Sequence, residues 1–165
     1  MARVDDCYRI TYLITNAFGS GGTIRTKFTM AAALAERGHD VEVVSLRRHR
    51  PRPRLELDPR VRLRVLVDDS PRVQNRRRAR RGPIGGLKRL AHRVLSRAAS
   101  WLAHPADVRY RSFSLRTDLA LWRFARSLEA GQVVIGTRPA LNLFLARHAP
   151  RATRHAGPSS WGRST

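Results

Sequence analysis

The sequence predicts a doubly wound α/β domain built on a parallel sheet. A short apolar run at residues 10–15 closes on a glycine cluster, helical spacing of apolar residues follows at 23–37, and a β-branched run follows at 40–46. This β-α-β order favours parallel strands joined by a right-handed crossover. With 165 residues the chain is long enough for one domain with a packed core.

The first helix shows the clearest start and stop signals. Ile24, Phe28 and Ala31 recur at helical spacing. Thr23 is a candidate N-cap, and Gly38 is placed to end the helix.

The later part of the chain continues the alternation of strands and helices. The apolar residues of the third strand alternate with Arg62 and Arg64, which predicts a position toward a sheet edge. In chain order we expect an edge strand, a mobile basic loop, two helices, a buried strand and a final helix at residues 61–67, 70–86, 87–102, 118–128, 132–136 and 139–147. The basic loop carries the arginine cluster at residues 76–81.

The formal net charge of +21 would ordinarily indicate a polyanionic partner. All basic residues except Lys27 and Lys88 are arginines, which a GC-rich coding sequence produces whatever the function. The charge also concentrates at residues 47–54 and 72–97, outside the expected core. The charge is therefore weak evidence for nucleic-acid binding, and a protein that binds nucleic acid or an anionic surface stays as an alternative.

Cysteine content and hydropathy indicate the compartment. Cys7 is the only cysteine, which excludes an internal disulfide and a cysteine-based zinc site. The apolar run at 10–14 is too short for a secretory signal, and no stretch approaches the roughly 20 apolar residues of a membrane span. The histidines lack metal-ligand spacing. We expect a cytoplasmic protein without a metal site, at most peripheral to the inner face of the membrane.

The most informative motif is the glycine run between the first strand and the first helix. Gly19, Gly21 and Gly22 let backbone amides approach a ligand, and a helix N-terminus favours an anion such as phosphate. The dinucleotide fingerprint is incomplete, because Ile24 stands where the third glycine belongs. No Gly-Lys-Ser or Gly-Lys-Thr follows, so ATP hydrolysis is not supported. A tight turn without a ligand is the alternative.

The end of the second strand bears on the choice of nucleotide. It runs into Arg47 and Arg48 instead of an acidic residue that would bind a ribose hydroxyl. These arginines suggest at most the binding of a 2′-phosphate, so an NADP-dependent reductase is an alternative function.

Residues 12–26 and 34–45 together resemble the N-terminal domain of family 4 glycosyltransferases. The resemblance rests on the Gly-Gly loop after the first strand, on the helix end Leu-Ala-Glu-Arg-Gly-His, and on the valine-rich second strand. Residues 136–142 are similar to the family's strand-to-loop passage at the interdomain cleft. The resemblance covers roughly residues 8 to 150.

The resemblance implies the N-terminal half of a GT-B fold, in which two Rossmann-like halves enclose the active site. This half, residues 1–151, would hold mainly the acceptor, and the C-terminal half would hold the nucleotide sugar, which is a substrate; no metal or other cofactor is implied. The glycine loop would approach the donor phosphates and stabilise the departing diphosphate. By this analogy the phosphate or substrate-binding residues are Gly19, Gly21, Gly22, Thr23, Arg25 and Arg138. Arg25 as a solvated side chain and Arg138 as an ordinary loop arginine are the alternatives, and no catalytic base is assigned.

The tail at residues 152–165 departs from the resemblance. The family continues into another core strand, a Glu-His loop and the second domain, whereas residues 156–165 have no strand pattern. If Ser159 and Ser160 use TCN codons and Ser164 uses AGC, the frame one base upstream encodes an apolar run followed by Gly-x-Glu-His or a near relative. We therefore expect a frameshifted or truncated product after about Arg151, without the donor-binding domain and inactive alone.

Overall fold

A computed structural model describes residues 7–79, 90–91, 93–98, 100, 113–150 and 154–155. These residues form an all-parallel sheet, as the sequence predicts. Its strands, in chain order, are β1 (Arg9–Ile14), β2 (Asp40–Arg48), β3 (Arg62–Asp68), β4 (Val133–Gly136) and β5 (Arg154–His155). The spatial order is β3-β2-β1-β4-β5, so the expectation that the third strand lies at an edge is confirmed.

Helices cover both faces of this sheet. They are α1 (Gly22–Glu36), α2 (Pro71–Ala79), α3 (Leu115–Arg126) and α4 (Pro139–His148). Residues 90–91 and 93–97 are also helical, inside the helix expected at 87–102. The predicted fold class, a Rossmann-like α/β domain with a parallel sheet, is confirmed.

Successive side chains of the strands point to opposite faces of the sheet and pack into two separate hydrophobic cores. On one face Tyr12 and Val43 pack with Phe28 of α1. On the other face Leu13 packs with Leu121 of α3 and with α4. Each face of β1 is therefore buried, which explains why the strand is an apolar run without polar alternation.

The crossover from β2 to β3 contains no helix. Residues 49–61 make this connection, and Leu55 and Leu57 pack against the α1-side core. Pro51, Pro53 and Pro59 fix backbone dihedrals and remove N–H donors along this segment, so an extended path is favoured over a helix.

Two details of the helix starts differ from expectation. The N-cap of α1 is Gly21 and not Thr23, because the helix begins two residues earlier than the apolar spacing suggests. Helix α3 begins at Leu115 instead of 118, where the backbone N–H of Ser114 donates to Thr117 Oγ1 at 2.8 Å. The C-terminal signal of α1 is confirmed, since Gly38 takes a φ of 87° directly after the helix.

The expected loop at residues 70–86 is wrong for its first part, which is helix α2. Proline is favoured in the first turn of a helix, and Pro71 begins α2, while the Ser70 carbonyl accepts from Val73 and Gln74. Arginine is also a good helix former, so a basic composition does not exclude a helix. The rest of this segment, from residue 80, lies outside the described residues.

Two residues of the tail at 152–165 lie in the described part of the chain. Arg154 and His155 form β5 and pair parallel with Val133 and Val134 of β4. Residues 156–165 lie outside the described part of the chain.

Close packing at the end of β4 leads to a stability prediction. A methyl group on Gly136 would overlap the Asn142 side chain, whose Nδ2 donates to the Gly136 carbonyl at 3.3 Å. We expect Gly136→Ala to lower the free energy of unfolding by about 1 to 3 kcal/mol. Urea unfolding measures this. Because the obstacle is mainly one side chain, Gly136→Ala/Asn142→Ala should cost less than the sum of the single changes, and strict additivity would contradict the packing described.

Candidate functional site at the switch-point edge

The strand order reverses between β1 and β4, and this position is where open α/β sheets bind ligands. After β1 the chain passes outward through β2 and β3, whereas β4 and β5 lie on the opposite side of β1. The carboxyl ends of β1 and β4 are adjacent, since Leu13 pairs with Gly136. We call the segments that follow them, residues 15–23 and 137–138, the switch-point edge.

The glycine loop presents the N-terminus of helix α1 at this edge. Gly21 is the N-cap with extended backbone and offers no side chain, and its carbonyl accepts from Ile24 at 3.0 Å and Arg25 at 3.2 Å. The N–H groups of Gly22 and Thr23 precede the first intrahelical donors, so the helix itself supplies them no acceptor. A methyl group on Gly21 or Gly22 would meet no atom within 4 Å. The first turn is therefore open and suited to an anion.

The loop that leads to this helix is held by side chains that the sequence analysis did not single out. The backbone N–H of Ala17 donates to Ser45 Oγ of β2 at 2.9 Å, and Asn16 Oδ1 accepts from the N–H of Phe18 at 2.9 Å. Ala17 and Phe18 are buried in the α1-side core. An Asn two residues before an amide is a recognisable turn signal in sequence, whereas the Ser45 contact spans 28 residues.

Ile24, at the third position of the dinucleotide fingerprint, packs against Gly19. A methyl group on Gly19 would lie 3.1 Å from Ile24 Cδ1, so Gly19 and the isoleucine side chain are in close contact. In the dinucleotide fingerprint the third glycine allows close packing of helix and strand. The structure therefore shows how Gly19 contributes here, through a tight turn against Ile24.

Two threonines, Thr15 and Thr137, directly follow β1 and β4. Thr137 donates from its backbone N–H to the Leu13 carbonyl at 3.0 Å, which extends the β1–β4 ladder by one bond. The Thr15 residue is 7% exposed, and its hydroxyl oxygen has no hydrogen-bond partner among the described residues. A buried hydroxyl without a hydrogen-bond partner costs roughly 1 to 3 kcal/mol, so such groups are rare in native structures.

The two candidate cations occupy different positions. Arg138 is the half-buried N-cap of α4 and follows Thr137 directly, so it lies on the switch-point edge, where its carbonyl accepts from Asn142 at 3.1 Å. Arg25 is exposed in the first turn of α1. The fold brings Gly19, Gly21, Gly22 and Thr23 to the same sheet edge as Arg138.

A carboxylate bridge joins the ends of β2 and β3 to α3. Asp69 binds Arg47 Nη2 at 2.8 Å and Nε at 3.1 Å, and it also binds Arg116. The three side chains are between 12% and 23% exposed. Burial alone would raise the pKa of Asp69, but hydrogen bonds from Arg47 and Arg116 outweigh it, so the pKa lies below its ordinary value.

This bridge bears on the NADP alternative. Arg47 is engaged with Asp69, and Arg48 lies 3.7 Å from Asp68 and 5.5 Å from the Phe18 ring. Both arginines that could recognise a 2′-phosphate thus already have carboxylate partners. The pairing disfavours a reductase that would use them.

Among the described residues, no group of three or more His, Cys, Asp or Glu side chains is arranged to hold a metal ion. In the same residues, no helix combines the length and the apolar character needed to cross a bilayer.

The fold and its edge define a Rossmann-like α/β domain, and comparisons with known proteins add one relative. The chain is 32% identical over 144 residues to a Streptomyces coelicolor protein named exopolysaccharide phosphotransferase. The match covers 86% of this chain but 14% of that protein's length. No protein-family model and no solved structure matches the chain.

The Asp69 bridge predicts a pH-dependent stability. Because the folded pKa lies below the unfolded value of about 3.9, the ionised carboxylate stabilises the fold above that value and its contribution is lost as pH falls through the folded pKa. We expect Asp69→Asn to cost about 2 kcal/mol or more at pH 7 and to flatten the acid loss of stability below about pH 5. Urea unfolding between pH 7 and pH 3 measures both effects.

The matched control is Glu129→Gln, which removes an exposed partner of Arg9. It should cost less than about 1 kcal/mol, because exposed ion pairs contribute little. An equal cost for the two variants would show that the bridge has no special role.

Proposed function

We propose that this chain is the N-terminal, acceptor-side domain of a family 4-like glycosyltransferase of the GT-B type. That the chain belongs to a transferase that acts on sugars is supported by the relative named exopolysaccharide phosphotransferase. The assignment to family 4 is supported by the resemblance of residues 12–26, 34–45 and 136–142 to that family. The observation that carries the proposal is the open N-terminus of α1 at the point where the strand order reverses.

In the proposed mechanism the switch-point edge binds the diphosphate of a nucleotide-sugar donor. The N–H groups of Gly22 and Thr23 donate to phosphate oxygens, and the dipole of α1 adds favourable potential. The diphosphate gains negative charge as the bond to the sugar breaks, so donors fixed in advance stabilise the transition state more than the bound donor. Arg138, at the N-cap of α4, contributes a cation from the other side of the edge.

The donor's nucleoside and sugar are assigned to a second Rossmann-like half facing this edge. A metal is not required in this scheme, because amides and arginine supply the positive potential. The acceptor would bind mainly to this chain. The isolated chain is proposed to be inactive.

One substitution tests the amide donors without disturbing the helix. Gly22 is the first residue of α1, where proline is well tolerated, and the backbone of Gly21 (φ −74°, ψ 158°) suits a residue before proline. Gly22→Pro removes one N–H, and Gly22→Ala keeps it. In a protein that includes the donor-binding half, we expect Gly22→Pro to lower kcat/KM for sugar transfer by about 10-fold to 100-fold and Gly22→Ala to change it little.

Sugar-nucleotide turnover with UDP-, GDP- and dTDP-sugars measures this effect. Circular dichroism and thermal unfolding serve as folding controls. If Gly22→Pro and Gly22→Ala reduced turnover equally, shape at this position would matter and the amide would not, which would refute the proposed role.

A further inference from the structure

A surface on the side of the sheet opposite α1 combines exposed apolar side chains with arginines. A groove of about 800 Å³ lies between α3, α4 and the helical residues 90–91 and 93–97. Its walls include Leu95, Leu119, Trp122, Leu143, Phe144 and Arg147. We call this surface the helical face; it covers the side of the sheet opposite α1.

The apolar residues of this face are unusually exposed for a folded domain. Leu143 is 73% exposed and Trp122 is 39% exposed, although both are large hydrophobic side chains. Leu90 and Val94, on the helical segment that supplies Leu95, are 57% and 58% exposed. Trp122 and Leu143 line the same groove, and large apolar side chains exposed together on one surface mark an interaction site.

The charge of the face has one sign. Among the described residues of these three helical segments the one acid is Asp118, which is buried and hydrogen-bonded to Ser100. Arg126 and Arg147 are exposed, and the Arg126 guanidinium lies 5.1 Å from the centre of the Trp122 ring. The helical residues 93–97 add exposed Arg93 and Arg97.

From this combination we infer that the helical face docks on an anionic lipid bilayer surface, with Trp122 and Leu143 entering the interface and the arginines pairing with lipid phosphates. Basic residues beside exposed Trp and Leu on helices are the features of interfacial membrane binding. Each arginine near an anionic leaflet contributes about 1 kcal/mol, which corresponds to about a fivefold change in partitioning. A second copy of this chain is a poor occupant, since two such faces would oppose arginine with arginine and offer no exposed acid.

The test is flotation of the full 165-residue chain with vesicles of phosphatidylcholine alone and of phosphatidylcholine with 30% phosphatidylglycerol, the latter composition chosen to give a surface charge of physiological order. Binding is expected to the anionic vesicles and to be at least about tenfold weaker to the neutral ones. Circular dichroism confirms that each variant is folded, and the exposure of Leu143 and Arg126 makes their substitution tolerable.

Matched variants separate the helical face from the overall positive charge. Arg126→Gln/Arg147→Gln should weaken binding by about tenfold or more. Arg50→Gln/Arg52→Gln removes two exposed arginines from the β2–β3 crossover and should change it less than twofold. Equal losses in the two pairs would show adsorption by net charge and overturn the inference.

A second pair tests apolar insertion. Leu143→Ser should weaken vesicle binding about fivefold, whereas Met30→Ser, at an exposed apolar residue of α1 on the opposite side, should not. Equal binding by the two variants would overturn the inference. So would concentration-dependent dimerisation that Leu143→Ser abolishes, or tighter binding of a duplex oligonucleotide through the same arginines.

Discussion

Strand β1 is hydrogen-bonded along both edges, to β2 on one side and to β4 on the other, and this double pairing positions the residues after it. The ladders extend past the strand ends, where Arg47 donates to the Thr15 carbonyl and Thr137 donates to the Leu13 carbonyl. The glycine loop therefore leaves the sheet at a fixed point, next to the loop after β4. The pairing of β1 with β4 therefore holds the two loops of the switch-point edge next to each other.

A chain with 33 Lys and Arg residues and 12 acidic residues has few carboxylates to pair with them. Among the described residues, two carboxylates bind two arginines each. Asp40 binds both Arg9 and Arg62 near the amino ends of the strands, and Asp69 binds Arg47 and Arg116 near the carboxyl ends. These bridges tie neighbouring elements where the sheet ends. The arginines left on the helical face have no exposed acid beside them in the described helical segments, which gives that surface its single sign of charge.

Much of the fold could be predicted because its signals are local. The buried strands are short apolar runs, α1 has helical spacing and ends at Gly38, and Pro139 begins the last helix, as a proline in the first turn should. The start of α1 was misplaced because a glycine N-cap carries no side-chain signal, whereas Thr23 is an attractive capping residue. Helix α2 was missed because its arginines suggested a solvated loop although arginine favours helices.

The candidate site could be predicted only in part, because only some of its residues form a local sequence pattern. The glycine run and residues 136–142 are such patterns, and in the fold both lie at one edge of the sheet. The groups that support the edge depend on contacts between distant residues: Ser45 with Ala17, and Asp69 with Arg47 and Arg116. Nothing in the sequence near Asp69 distinguishes it from Asp68, and the tertiary fold decides which one bridges two arginines.

The central claim is that the switch-point edge binds the phosphates of a nucleotide. The most direct measurement is a titration of the isotopically labelled 165-residue chain with UDP, followed by the backbone amide resonances of each residue. The account predicts that the largest saturable shifts fall on Gly21, Gly22, Thr23 and Arg138. Shifts concentrated instead in the arginine-rich segments at residues 47–54 and 76–81, with the glycine loop unchanged, would contradict it and would indicate a general polyanion-binding protein.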